Sequence, residues 1–190
     1  MIIRTVVLLF LSLLFYQVLA QEQVNVNFSY PDTLSVDLST MKDSMRIAGF
    51  TDSRGIENLR LITASDLGNS AAAAGYQAEK DLADIVRDAF VQGFERGGAD
   101  LVETDEGKRI VGNLLASEVE LVDREGVQSI QITLRTRVQL QRGDRTIWET
   151  VLFGRGVVPA TEGIAAAIHA ALVRTIRELV NDDYFLLEVR

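Results

Sequence analysis

The chain has 190 residues, with 19 Lys or Arg, 27 Asp or Glu and no Cys. The resulting formal charge of −8 argues against a binding surface for nucleic acid or for an anionic membrane. The lack of cysteine excludes disulfides, thiolate metal sites and cysteine nucleophiles, so stability must come from packing. The length suits a single domain with a proper core.

The N-terminal twenty residues carry one charge, Arg4, and are otherwise apolar from Thr5 to Ala20. The apolar stretch is shorter than the roughly 20 residues that a membrane-spanning helix needs. Val18 and Ala20 occupy the two positions that a signal peptidase recognises, so we predict a signal peptide at 1–20, cleaved after Ala20. A retained anchor is the main alternative, whereas a core helix is disfavoured because no polar face interrupts the run. Cleavage leaves a single α+β domain at 21–190, with no integral membrane span.

The first half of that domain combines short strands with one helix. Residues 21–43 alternate in polarity, which predicts one or two strands around a turn at Pro31-Asp32. A strand then runs to the loop at 52–55, a short strand LRLIT follows, and GNSAAAAG is either a linker or a frayed helix start. From Gln77 we predict an amphipathic helix of about five turns that ends at Gly97-Gly98. Its apolar face comprises Leu82, Ile85, Val86, Ala89, Phe90, Gly93 and Phe94.

The second half predicts an antiparallel meander followed by a helix. We expect 99–102 to re-enter the sheet, and three long strands to run through 114–122, 130–140 and 147–153. Pro159 ends the sheet, Thr161 caps the second helix, and the tail packs back through Phe185 and Leu186. The apolar stripe of this helix comprises Ile164, Ile168, Ala171, Leu172, Thr175, Ile176 and Leu179.

Two amphipathic helices, each with one apolar face, need one shared surface. The predicted fold is therefore α+β: a mostly antiparallel sheet with a three-stranded C-terminal meander, and two amphipathic helices packed on one face.

No pattern in the sequence predicts catalysis, a cofactor or a metal ion. The single histidine, His169, lies beside an apolar helical stripe and has no ligand or nucleophile partner at a defined spacing. Gly154-Arg155-Gly156 lacks the third glycine of a dinucleotide loop, and Pro159 follows too soon. The carboxylates are abundant, but they fit no calcium-loop register, and a solvated acidic face explains them.

Three residues are candidates for interaction or for holding a loop. Asp52 and Arg54 stand at the exit of a predicted strand, where the pair either binds a ligand or holds the loop locally; we favour the local role. Trp148, the only tryptophan, is predicted to face away from Ile147, Val151 and Phe153. Beside Leu152 it either forms a small exposed apolar patch or is covered by the N-terminal strands.

The order of these features resembles the YajG-like lipoprotein family of Gram-negative envelopes. The resemblance rests on the Asp-x-Arg of Asp52 and Arg54, on the helix ending at 96–98, and on the closing segment ALVRTIRELVNDDYF. It implies an envelope location and a non-enzymatic role, and it brings no active-site residues. Family members carry a lipidated cysteine where this chain has Gln21, which favours a free periplasmic or secreted form.

These observations predict an exported binding or assembly module that contacts an envelope protein or a glycan or lipid component, with no nucleic acid and with an unknown oligomeric state. One alternative is an auxiliary subunit of an envelope transport or lipopolysaccharide-assembly system, holding a lipid or peptide between helices and sheet. Another is a glycan-acting enzyme that uses carboxylates such as Asp100 and Glu103.

Overall fold

The computed structural model describes residues 21–31, 36–41, 45–104 and 107–189. The predicted signal peptide at 1–20 lies outside these ranges, as does Asp32 of the predicted turn.

The described residues form two sheets and three α-helices. A small sheet has the strand order β1-β4-β3, and a larger sheet has the order β2-β5-β6-β7. The strands are β1 (Glu22–Val24), β2 (Met45–Asp52), β3 (Leu61–Thr63), β4 (Tyr76–Ala78), β5 (Lys108–Arg124), β6 (Val127–Arg142) and β7 (Arg145–Pro159). The helices are α1 (Leu82–Arg96), α2 (Gly163–Val180) and α3 (Asp183–Val189).

The C-terminal meander is confirmed, and its strands are longer than predicted. β5, β6 and β7 pair antiparallel in sequence order, with Leu134 of β6 opposite Ser117 on one side and Gly154 on the other. The alternation along β6 separates a buried face from a polar one. The buried face contains Ile130, Ile132, Leu134, Thr136, Val138 and Leu140.

The prediction of a mostly antiparallel sheet is wrong, because both sheets are mixed. β2 pairs parallel with β5 in the large sheet, and β1 pairs parallel with β4 in the small one. Between β2 and β5 the chain passes through β3, β4 and α1. Such a crossover returns the chain to the end of the sheet at which it started, so the two strands run in the same direction.

Two local predictions in the helices also need correction. α1 begins at Leu82 and not near Gln77, because residues 76–78 form β4 between β1 and β3. α2 begins at Gly163 after a short 3-10 turn, and Thr161 makes no capping hydrogen bond there. The two predicted apolar faces are confirmed as buried.

Glycines set how closely the helices approach each other and the large sheet. α1 and α2 lie on the same face of that sheet, and they meet where a Cβ on Gly93 would lie 2.7 Å from Ile176 Cγ2. The contact between α2 and β7 is closer still. A Cβ on Gly154 would lie 1.9 Å from Thr175 Oγ1, and one on Gly156 would lie 2.0 Å from the carbonyl oxygen of Ala167. The backbone of α2 therefore rests almost directly on β7.

An N-terminal segment, residues 24–31, crosses the helices and is held by three side chains. Gln92 of α1 donates to the carbonyl oxygen of Phe28 at 3.1 Å and accepts from the amide of Tyr30 at 3.1 Å. His169 of α2 contacts the carbonyl oxygen of Val26 through Nε2 and packs edge-on against the Phe28 ring. A carbonyl can only accept, so Nε2 carries the proton.

The third side chain that holds this segment is Glu79, which accepts hydrogen bonds from the amides of Val26 at 2.9 Å and Asn27 at 3.3 Å. Burial raises the pKa of the Glu79 carboxyl, but backbone hydrogen bonds led by that of Val26, and the charge of Lys80, outweigh it. The pKa therefore lies below its ordinary value, and this contact holds best with Glu79 ionised.

Replacing Gly156 with Ala should destabilise the protein by on the order of 3 kcal/mol, because the added methyl group has no room between β7 and the backbone of α2. Gly49→Ala is the matched control. Gly49 also lies in a strand, has no positive φ, and has nothing within 4 Å of a Cβ position. Chemical denaturation gives the unfolding free energy of both variants. Equal values for the two would contradict the close contact between Gly156 and the backbone of α2.

Candidate functional site

Asp52 and Arg54 form a compact junction between the two sheets. The Arg54 guanidinium donates from Nη2 to Asp52 Oδ2 at 2.6 Å and from Nε to both carboxylate oxygens at 3.0 Å. It also reaches the carbonyl oxygens of Leu59 at 2.8 Å and Leu61 at 2.5 Å, and Ser117 Oγ at 3.1 Å. The side chains are 5% and 3% exposed. Arg54 thus joins the end of β2 to the start of β3 and to the middle of β5.

This junction leaves little of either charged group open to a ligand. Both oxygens of Asp52 and all three nitrogens of the guanidinium have partners within the protein. Ser117 extends the network, since its Oγ donates to the carbonyl oxygen of Ile62 at 2.8 Å. The arrangement fits a role in holding the loop, and that role stays a prediction.

Trp148 lies on the helix-facing side of β7, opposite Leu140 of β6. Its ring is partly buried and packs against Phe185 of α3, with the ring centroids 5.2 Å apart. The cover is therefore the C-terminal helix and not the N-terminal strands, and Leu152 on the same side of β7 is only 3% exposed. Phe153 is a large apolar side chain that β7 exposes, at 52%.

The remaining chemical candidates do not come together. Asp100 and Glu103 are both exposed on the connection between α1 and β5. His169 holds the N-terminal segment, as described above. Among the described residues, no group of three or more metal-ligating side chains is placed to hold a metal ion.

A groove of about 870 Å³, which we call the β7 groove, is lined by β7 and by the flank of α2. β7 lines it with the alternate residues Phe153, Arg155 and Val157, whose side chains lie on the face of the strand opposite to α2. Its wall is the α2 flank from 169 to 178, and the N-terminal segment closes one end at 29–31. The groove is open to solvent along its length and combines apolar side chains with charged ones.

Three arginines give the groove its charge. Arg155 comes from β7, and Arg174 and Arg177 come from α2; all three are exposed. The described structure gives none of them a hydrogen bond or an ion pair, whereas Arg54, Arg87 and Arg137 all have such partners. On a chain with a formal charge of −8, this is a local concentration of unpaired positive charge.

β7 is one of the two outer strands of the large sheet, and within the described ranges no strand pairs with its second edge, which borders the groove. The amide of Phe153 donates to Glu178 Oε2 at 3.3 Å, so this amide points away from β6. In an antiparallel pair the bonding direction alternates along the strand, so the backbone groups of Val151 and Arg155 also point outward. Edge strands in native proteins are usually short, bulged, charged or covered. β7 carries the charged Glu149 and Arg155, but at 15 residues it is long, and it exposes Phe153 beside the groove.

Sequence reasoning missed this site, although two signals for it are present. Arg174 and Arg177 are three residues apart, which places them on one flank of a helix, next to its apolar stripe. Val151 and Phe153 alternate with Leu152, which gives β7 apolar side chains on both faces. Neither signal identifies β7 as an edge strand, because the strand order depends on the crossover between β2 and β5.

No protein-family model and no curated protein matches the sequence. Among solved structures, protein XCC0632 from Xanthomonas campestris, of the DUF330 family model, is similar to this chain with a TM-score of 0.59 and 15% identity. The match covers 87% of this chain and 96% of that one. At this identity the similarity shows a shared fold.

Two further structures are less similar. The hypothetical protein CT253 from Chlamydia trachomatis has a TM-score of 0.44 and 10% identity, over 75% of this chain and 96% of that one. A minor lipoprotein from Acinetobacter baumannii has a TM-score of 0.26 and 10% identity, over 76% of this chain and 86% of that one. These scores are too low to support any inference about function.

Replacing Arg54 with Ala should lower the unfolding free energy by about 3–5 kcal/mol, because Asp52 would remain buried without its partner. Arg124→Ala is the control, since Arg124 is exposed near the turn between β5 and β6 and should change stability by less than about 0.5 kcal/mol. Denaturant titration compares the two, and a cost for Arg54→Ala as small as that of the control would contradict the loop-holding role.

Proposed function

We propose that this chain is a non-enzymatic module of the Gram-negative cell envelope, of YajG-like type, which binds a protein along the free edge of β7 and the β7 groove. The observation that carries the proposal is a combination at one place: a strand edge with no partner strand among the described residues, an exposed Phe153, and three arginines to which the described structure gives no partner. Strand edges bind extended polypeptide through backbone hydrogen bonds, and neighbouring side chains supply specificity.

The proposed location is the periplasm, reached through cleavage after Ala20. It is supported by the basic start, the short apolar stretch and the small residue at the cleavage position. None of the helices within the described ranges has the length and apolar character that crossing a bilayer requires. With Gln21 in the place of the family's lipidated cysteine, the module would act without a lipid anchor.

The β7 edge is favoured over the two alternative functions. An enzyme that uses Asp100 and Glu103 needs the two carboxylates across a substrate cleft, but both are exposed on one connection outside the β7 groove. An auxiliary transport subunit that holds a lipid or peptide needs space between the helices and the sheet. At the crossing of α2 and β7, even one added methyl group would clash at Gly154 or Gly156.

A photo-crosslinking amino acid tests the site directly. Placed at Phe153 in the full chain and activated in intact cells of a Gram-negative host, it should form covalent adducts with a protein of the envelope fraction. Val127 is the matched control, because it is 51% exposed against 52% for Phe153 and lies at the far end of β6. Adducts at Phe153 with none at Val127 are expected. No adduct at Phe153, or equal adducts at both positions, would contradict the proposal.

A further inference from the structure

We propose that the protein bound along β7 is a second copy of this chain, with the two β7 strands antiparallel about a twofold axis at Leu152. This inference rests on the function proposed above and names the partner of the same edge. It would join two four-stranded sheets into one continuous sheet of eight strands.

The outward-pointing backbone groups limit the possible registers. Two strands bond through residues whose amides face each other, and in β7 these are the odd-numbered residues around Phe153. In a symmetric pair, the residue numbers that lie opposite each other add to a constant. The outward N–H and C=O groups can bond to each other only in registers that set odd-numbered residues opposite odd-numbered residues. Successive registers of this kind differ by a shift of two residues between the strands.

One of these registers is complementary to itself. With the axis at Leu152, Glu149 lies opposite Arg155 of the second copy, and Val151 lies opposite Phe153. By symmetry each pair occurs twice, which gives two opposite-charge pairs around a central apolar group. All of these side chains belong to the face of β7 that points away from the helices, as their pairing with β6 shows.

The neighbouring registers lack this match. Moving the axis to Val151 places Glu149 opposite Phe153. With the axis at Phe153, Val151 lies opposite Arg155 of the second copy. With the axis at Arg155, the two Arg155 side chains lie opposite each other. Like charges directly opposite each other are destabilising, and a charge opposite an apolar residue gains no partner.

Charged residues of α2, which borders the groove, also fit a twofold axis at Leu152. Glu178 of α2 lies against the amide of Phe153, one residue from the axis, and Arg177 precedes it in the sequence. Glu178 therefore lies close to the axis, and Arg177 lines the same groove, so the two copies can bring opposite charges together there. On pairing, the amide of Phe153 would exchange the Glu178 carboxylate for a backbone carbonyl of the second copy.

Charge reversal tests the register in the full chain. Sedimentation velocity should show twice the 21.0 kDa mass of one chain, less any cleaved segment. Glu149→Arg and Arg155→Glu should each weaken association by about tenfold or more, since each creates two like-charge pairs. The double variant should restore it. Within one chain these residues are six positions apart, roughly 20 Å along a strand, so an intrachain pair cannot explain the rescue.

Engineered cysteines distinguish the registers, because the chain has no cysteine of its own. Val151→Cys and Phe153→Cys proteins, mixed and oxidised, should give a crosslinked dimer, and neither variant should crosslink alone. Crosslinking by one variant alone would show a different register and overturn the proposal, and so would a wild-type protein that stays monomeric. If Phe153 still forms photo-adducts with another envelope protein in that case, the proposed function stands and only the second copy as partner fails.

Discussion

The close contact between α2 and β7 is the constraint on which the rest of the structure depends. Gly154 and Gly156 present no side chain to the helix, so the α2 backbone lies directly on the last strand of the sheet. This fixes α2 over an edge strand, and it places the polar flank of the helix beside the strand's free backbone groups. The groove, its arginines and the exposed Phe153 all follow from that placement.

Much of the fold could be predicted from the sequence because its signals are local. The period-two pattern of β6 and the apolar stripes of α1 and α2 identify long elements, and all three are found. The parallel pairing of β2 with β5 could not be predicted in this way, because it depends on how a crossover returns to the sheet. β4 was missed because three residues are too few to show a period.

The candidate site was less predictable, because its parts are distant in the sequence. Asp52 and Arg54 were identified from their spacing, but the contacts with Leu59, Leu61 and Ser117 required the packing of one sheet against the other. The sequence alone rejects Gly154-Arg155-Gly156 as a nucleotide loop, but it does not show what these glycines do. In the structure the two glycines admit α2 on one face of β7, and the Arg155 side chain, on the opposite face, still lines the β7 groove together with the flank of α2.

The central claim is that β7 has a free edge on which another strand pairs. Amide hydrogen exchange measured residue by residue tests it most directly. In dilute monomer, the amides of Val151 and Arg155 should exchange fast, while those of Leu152 and Gly154, which face β6, should be protected. As association proceeds at higher concentration, Val151 and Arg155 should become protected too. Protection of these two amides in the monomer, or fast exchange at both in the associated protein, would contradict the account.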